Sequence, residues 1–301
     1  MNYETFLGAV ERGLNERLSD DITVMLHKTV KNNGMEKQGV TIIKKDVNIS
    51  PTIYLEEFYQ QYLKGRTLEE IIRKIDHFYH EVRYEESLDT EKLQKYDYLR
   101  DKIMFRLINK EKNSKLLEKI PYLDYQDLAL VFYVLLDVRK GGSATITITN
   151  DMMHMWNCDV EKLYQTAQIN GRRNLPAVLT PMRDVIDELI RPLNDAGIDL
   201  FEEEPSFPDK MYVLTNEIRS FGAAVIAYEY VLEMVAEKLQ SNFFVLPSSI
   251  HEVILICADS RIRQEELDET IQEVNETQVE PEEVLGDHAY YYDRERKALY
   301  F

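Results

Sequence analysis

Cysteine, tryptophan, long apolar runs and positive charge are all scarce in this 301-residue chain. Its two cysteines, Cys158 and Cys257, indicate reduced thiols in a cytoplasmic protein. A single disulfide between them is the alternative that the sequence leaves undecided. The longest apolar run, residues 128–136, is far shorter than the roughly 20 residues of a membrane-spanning helix. We therefore expect a soluble protein with no membrane segment.

Negative charge dominates the composition, with 54 Asp and Glu against 36 Lys and Arg and a net charge of −18. Such a chain repels phosphate backbones on average, and its basic residues form no separate patch, so we expect no nucleic-acid partner. Hydrophobic residues still make up 44% of the chain and aromatic residues 10%, which is enough to build a packed core. The length predicts about two domains.

Periodic patterns predict an α+β fold with two parts. Residues 1–125 are predicted to form an N-terminal helical block with a β-hairpin, and residues 126–301 a largely antiparallel sheet with helices packed on one face. The elements predicted in the first part are an amphipathic helix over residues 1–18, a hairpin of residues 22–30 and 40–43, and helices starting at Ser50-Pro51, at the Thr67 and Glu70 capping box, and over residues 93–107.

The second part alternates strand and helix patterns. The predicted strands are residues 128–138, 145–149, 211–214, 223–228, 243–246 and 253–256, with a hairpin turn at Gly141-Gly142. Helices are predicted from residue 160, over residues 182–193, over residues 231–239 and from residue 264, with a loop over residues 197–209. The aromatic tail, residues 289–301, is predicted to dock on the sheet as a terminal hairpin.

Several segments together resemble one protein family. They read NISPTIYLE at residues 48–56, LTNE at 214–217, FGAA at 221–224, LPSSIHE at 246–252 and VNETQV at 274–279, followed by Asp287-His288. The family comprises intracellular proteins of gut anaerobic Gram-positive bacteria and is known only as a domain of unknown function. The resemblance extends from about residue 39 to residue 292. It implies no substrate, cofactor or catalytic residue.

Ser249, His251 and Glu252 form the densest polar cluster, between two predicted strands. If this segment is extended, Ser249 and His251 share a face, as a nucleophile and its base would. The chain lacks the Gly-x-Ser-x-Gly turn that supports such a serine in many hydrolases. The alternative is a turn whose hydroxyls and imidazole hydrogen-bond the neighbouring backbone, and this interpretation is favoured.

Metal and ligand sites have weaker support. His251 and Glu252 would offer zinc ligands if they met Asp287-His288 and Glu217, but no metal-binding spacing accompanies them, and no metal is predicted. Asn216, Glu217, Asn275 and His288 are weak candidates for lining a binding pocket, although asparagines more often cap helices or fix turns. Phosphate-binding glycine loops are missing, and no cofactor is predicted.

Residues 264–287 contain ten acidic residues and no basic one. The favoured interpretation is a helix with a solvated acidic face, and the alternative is a docking surface for a basic protein. From these patterns we expect a cytoplasmic, non-catalytic binding or regulatory module with a protein partner. The alternative is a hydrolase or metal-dependent enzyme with a site around Ser249, His251 and Glu252. The oligomeric state is left open.

Overall fold

The computed structural model describes residues 1–139, 142–195, 210–259 and 261–301. Helices and antiparallel sheets occur together in it, which confirms the predicted α+β class. The described chain divides into two compact units, residues 1–99 with 136–144, and residues 100–135 with 145–301. The predicted domain boundary at residue 125 stays a prediction. The loop predicted over residues 197–209 lies outside the described residues, as does Gly141 of the predicted Gly141-Gly142 turn.

The described helices are α1 (Tyr3–Arg17), α2 (Glu56–Leu63), α3 (Leu68–Val82), α4 (Thr90–Leu93), α5 (Tyr96–Leu99), α6 (Ser114–Leu117), α7 (Asn150–Met155), α8 (Val160–Asn174), α9 (Met182–Asp195), α10 (Val231–Leu239) and α11 (Gln264–Thr277). Short 3₁₀ helices cover Asn32–Gly34, Arg100–Lys102 and Gly222–Ala227. None of the helices in the described ranges is long and apolar enough to cross a membrane.

Three sheets are built from the described strands. The first has the order β1 (Ile22–Val30), β2 (Glu36–Lys44) and β3 (Thr52–Tyr54). The second has the order β4 (Ile103–Asn109), β6 (Leu128–Arg139) and β5 (Tyr122–Tyr125), with β7 (Gly142–Thr147) also paired to β6. The third has the order β13 (Ala298–Tyr300), β12 (Tyr290–Asp293), β10 (Phe243–Leu246), β11 (Val253–Cys257), β9 (Met211–Asn216) and β8 (Ala177–Pro181).

The first unit packs α1 and α3 against its three-stranded sheet. The predicted apolar stripe of α1 is buried, including Val10 and Leu14, and joins one core with Ile71 and Ile75 of α3. Helix α3 begins with the predicted capping box, in which the Thr67 side chain accepts from the Glu70 amide and the Glu70 carboxylate accepts from the Thr67 amide. Local sequence signals therefore specify both helices.

The helix predicted to start at Ser50-Pro51 begins later, at Glu56. Residues 52–54 instead form β3, which pairs with β2 from Thr52 opposite Thr41 to Tyr54 opposite Gly39. The amide of Ile42 also donates to the carbonyl of Pro51 over 3.1 Å. The backbone groups of residues 51–54 form hydrogen bonds with the edge of β2. This non-local pairing overrides the local helix signal.

The helix predicted over residues 93–107 is wrong. Helix α5 ends at Leu99, and Ile103–Asn109 form β4, which pairs antiparallel with β6 along its whole length. Phe105 lies opposite Phe132, and both rings are buried. An apolar run of this length suits a buried strand as well as a helix, and the partner strand 25 residues later decides between them.

The strand predicted over residues 223–228 is also wrong, because Gly222–Ala227 form a fully buried 3₁₀ helix. The preceding strand β9 is already paired on both sides, by β8 and β11, so no edge is left for a strand that follows it. The terminal hairpin of β12 and β13 is confirmed, with β12 paired to β10. Cys158 and Cys257 are free thiols, so the disulfide left open by the sequence does not form.

Candidate functional site

The connection between β10 and β11 carries Ser249, His251 and Glu252, and a second segment holds it in place. Ser249 forms an isolated antiparallel bridge with Val284. The amide of Ile250 donates to the carbonyl of Glu283 over 2.8 Å, and the amide of Leu285 donates to the carbonyl of Ser248 over 3.1 Å. Ser249 is consequently buried, with 5% of its surface exposed.

The side chains of Ser249 and His251 do not pair as nucleophile and base. The Ser249 hydroxyl oxygen accepts from the backbone amide of His251 over 3.0 Å, and the hydroxyl bonds the Glu252 carboxylate. The His251 Nδ1 accepts from the Phe221 amide over 3.2 Å, and its Nε2 lies 3.3 Å from the Glu283 Oε1. These contacts match the turn interpretation, in which the hydroxyl and the imidazole fix the backbone.

The pKa of Glu252, which lies between β10 and β11, is shifted by its surroundings. Burial raises the pKa of its carboxyl above the ordinary value, and Glu283 adds to the increase. His251, the Ser249 hydroxyl and Arg219 act in the opposite direction. The net shift is upward because removal from water disfavours the ionised carboxylate more than these neighbours favour it.

Asn216 fixes the loop after β9, as the turn interpretation of the asparagines expects. Its side-chain amide donates to the carbonyl of Ser220 over 2.8 Å, and its Oδ1 accepts from the Ser220 amide over 3.3 Å. Glu217 is exposed in the turn that follows the strand.

The loop then passes very close to the β10–β11 connection at Gly222. A Cβ added there would lie 2.0 Å from the Thr215 Oγ1 and 2.5 Å from the His251 carbonyl oxygen. The Thr215 hydroxyl donates to that same carbonyl over 2.8 Å. Glycine at position 222 is therefore required by this close backbone approach.

Phe221 and Arg106 adjoin the cluster, and the sequence analysis missed both. Phe221 takes a left-handed backbone conformation, with φ of 53°, and its ring stacks on His251 with centroids 5.7 Å apart. The guanidinium carbon of Arg106 lies 4.7 Å from the Phe221 ring centroid and 5.9 Å from that of Tyr133. The signal for Arg106 is a lone charge within the otherwise apolar residues 103–108.

Asn275 and His288 form hydrogen bonds and ion pairs with other residues than Ser249, His251 and Glu252. The Asn275 side-chain amide donates to the Gly286 carbonyl over 2.8 Å. His288 lies between two carboxylates, with Nδ1 3.0 Å from Asp287 and Nε2 3.5 Å from Asp127, and Asp127 accepts the Tyr290 hydroxyl over 2.5 Å. The structure therefore brings Ser249, His251 and Glu252 together and places His288 in a separate cluster.

Metal binding finds no support in the described ranges, where no group of three or more His, Cys, Asp or Glu side chains is placed to hold an ion. A polar groove of about 940 Å³ opens beside β10 and β12 instead. Its walls are shaped by internal bonds, such as Asn242 to the Tyr291 hydroxyl and Arg294 to Gln240. The lining residues include Asp259, Asp293 and Glu295.

Comparison with known proteins identifies a family for this chain. Its model matches residues 3–294 and is described as a family of unknown function (DUF5688). No curated protein and no solved structure matches the chain. The match confirms the resemblance to a domain of unknown function.

Proposed function

Since the chain belongs to the DUF5688 family of unknown function, we propose its function from its own surface. The protein is a non-catalytic binding or regulatory module that docks a basic protein partner through one face of α11. We define the acidic stripe as Glu265, Glu269, Glu273 and Glu276. The arrangement of this stripe on α11 is the observation that carries the proposal.

The acidic stripe occupies one side of α11. Its members follow one another at spacings of three or four residues, which places them on one face of a helix with about 3.6 residues per turn. All four are exposed, whereas Leu267, Ile271 and Val274 point to the opposite side. No ion pair joins Glu269, Glu273 or Glu276 to another side chain of the described residues. Their charges are therefore directed at solvent.

The stripe is preformed because the other side of α11 is anchored. Ile271 is buried in a cluster with Phe244, Leu246 and Ala289. The amide of Ala289 donates to the Asp268 carboxylate over 2.6 Å, and Asn275 bonds the Gly286 carbonyl. A rigid row of like charges attracts a basic protein surface without first having to be ordered, which favours fast and salt-sensitive association.

The contacts of Ser249 and His251 support the non-catalytic part of the proposal, since both side chains bond backbone groups and carboxylates rather than each other. No observation within the described residues favours the hydrolase or the metal-dependent enzyme. The proposal includes a bacterial, cytoplasmic setting.

The test reverses the acidic stripe. A triple variant, Glu269→Lys with Glu273→Lys and Glu276→Lys, is compared with a control that reverses three exposed acids elsewhere, Glu4, Glu16 and Glu57. Both variants change the net charge equally. Proteins captured by the wild type from a bacterial lysate are identified, and the captured protein is purified and titrated against all three forms.

We expect the stripe variant to weaken the purified complex about tenfold or more, since each exposed ion pair contributes about 0.2–1 kcal/mol and a tenfold change is about 1.4 kcal/mol. The control variant should bind like the wild type, and wild-type affinity should fall as salt increases. Equal weakening by both variants, or by neither, contradicts the proposal. Circular dichroism confirms that each variant is folded.

A further inference from the structure

Arg106 lies in the middle of a strand that is otherwise apolar. On β4 it is opposite Val131 of β6, and its neighbours two residues away, Met104 and Ile108, are both buried. Because side chains alternate along a strand, all three share one face. That face contains an apolar cluster formed by Met104, Tyr133, Leu175, Leu135, Ile218 and Phe221. A permanently charged guanidinium is thus held among hydrocarbon and aromatic side chains.

The guanidinium of Arg106 has no counter-ion within the described chain. Its Nε is fully buried and has no hydrogen-bond partner, and none of its nitrogens forms an ion pair there. Burial lowers the pKa of Arg106, and Tyr133 is the one titratable neighbour that opposes this shift. The aromatic rings of Phe221 and Tyr133 are its partners, at 4.7 and 5.9 Å.

Aromatic contact leaves the buried Nε–H of Arg106 without an acceptor. Cation–π attraction offsets part of the desolvation, but the guanidinium carries five N–H donors in a planar fork that match an oxyanion. Arg172 offers the matched comparison, because its guanidinium also lies 4.7 Å from a ring, that of Tyr230, yet Arg172 is exposed to solvent. A purely structural role would be served equally well by an apolar side chain at position 106.

We propose that Arg106 anchors a binding site for an organic monocarboxylate. The ligand oxygens accept from Nε–H and an adjacent Nη–H of Arg106, and the hydrocarbon part of the ligand packs on Phe221 and Met104. A single cation in apolar surroundings matches a monocarboxylate in charge and in shape. A phosphate dianion would need further donors or cations, which the apolar cluster does not supply.

The site is tested with sodium hexanoate, sodium acetate and inorganic phosphate, each at an ionic strength held constant with sodium chloride. Protein labelled with ¹⁵N-arginine reports the Nε–H resonance of Arg106, which is assigned by its loss in Arg106→Gln. We expect hexanoate to shift this resonance saturably, acetate to bind more weakly, and phosphate to leave it unchanged. Arg106→Gln should weaken hexanoate binding at least tenfold in calorimetry, and Arg106→Lys, which keeps the charge without the fork, should weaken it also.

Arg172→Gln is the control and should bind hexanoate like the wild type. Equal affinity of Arg106→Gln and the wild type overturns the proposal. So does a linear, unsaturable shift with hexanoate, or a saturable shift with phosphate alone. If Arg106→Gln does not fold, the titration of the wild-type resonance, assigned by elimination from single variants of other arginines, decides the question by the same criteria.

Discussion

Replacement of Gly222 by alanine should destabilise the second unit severely. The added Cβ would lie 2.0 Å from the Thr215 Oγ1, 2.5 Å from the His251 carbonyl oxygen and 2.7 Å from the Asn216 amide nitrogen. Overpacking of this kind costs about 1–3 kcal/mol. The displaced Thr215 hydroxyl also loses its bond to the His251 carbonyl, which adds about 1 kcal/mol. We expect the free energy of unfolding to fall by about 3 kcal/mol.

Urea unfolding followed by fluorescence measures this change directly, because Trp156 is the single tryptophan and lies, 8% exposed, in the second unit. Gly8→Ala is the matched glycine replacement, since a Cβ there meets nothing within 4 Å. In the middle of α1 it should stabilise the protein by about 0.5–1 kcal/mol, measured by circular dichroism.

A double variant sharpens the test of Gly222. Thr215→Ala removes the side-chain obstacle, but the carbonyl of His251 and the amide of Asn216 are backbone groups and stay in place. Gly222→Ala should therefore remain destabilising by about 2 kcal/mol in the Thr215→Ala background. Full rescue by Thr215→Ala would refute the reasoning, as would a single variant Gly222→Ala that unfolds within about 0.5 kcal/mol of the wild type.

Two further predictions concern buried polar groups. Burial raises the folded-state pKa of Glu252 above its ordinary value of 4.5, so the folded protein binds this proton more tightly than the unfolded chain does. The free energy of unfolding therefore declines as pH rises from the ordinary pKa to the raised one. Glu252→Gln should thus be more stable than the wild type in urea at pH 7, with the advantage vanishing near pH 4.5; a difference that does not change with pH contradicts this. Tyr290→Phe removes the hydroxyl that Asp127 accepts over 2.5 Å and should cost about 1.5–3 kcal/mol in urea unfolding. The exposed Tyr300→Phe should stay within about 0.5 kcal/mol, and equal effects of the two replacements would show that the hydroxyl contributes nothing.

Part of the candidate site could be predicted from residue types alone. The sequence placed Ser249, His251 and Glu252 side by side and favoured a turn, which the backbone contacts match. It gave no sign that Glu283 and Phe221 complete the surroundings of His251, because they lie 32 and 30 residues away along the chain. Arg106 went unnoticed, since an arginine in a presumed helix looks like a solvated surface residue.

Local sequence patterns determined the elements that are specified by residues close together in the chain. The stripe of α1, the capping box of α3 and the acidic face of α11 each depend on residues within one or two helical turns, and the hairpin joins two strands that follow each other in the chain. The tertiary structure alone decided β3, β4 and the 3₁₀ helix at Gly222–Ala227. The backbone of β3 pairs with β2 and that of β4 with β6. Residues 222–227 have no free strand edge beside β9, which is paired on both sides. Pairing and burial in the folded protein outweigh the local preference of these segments.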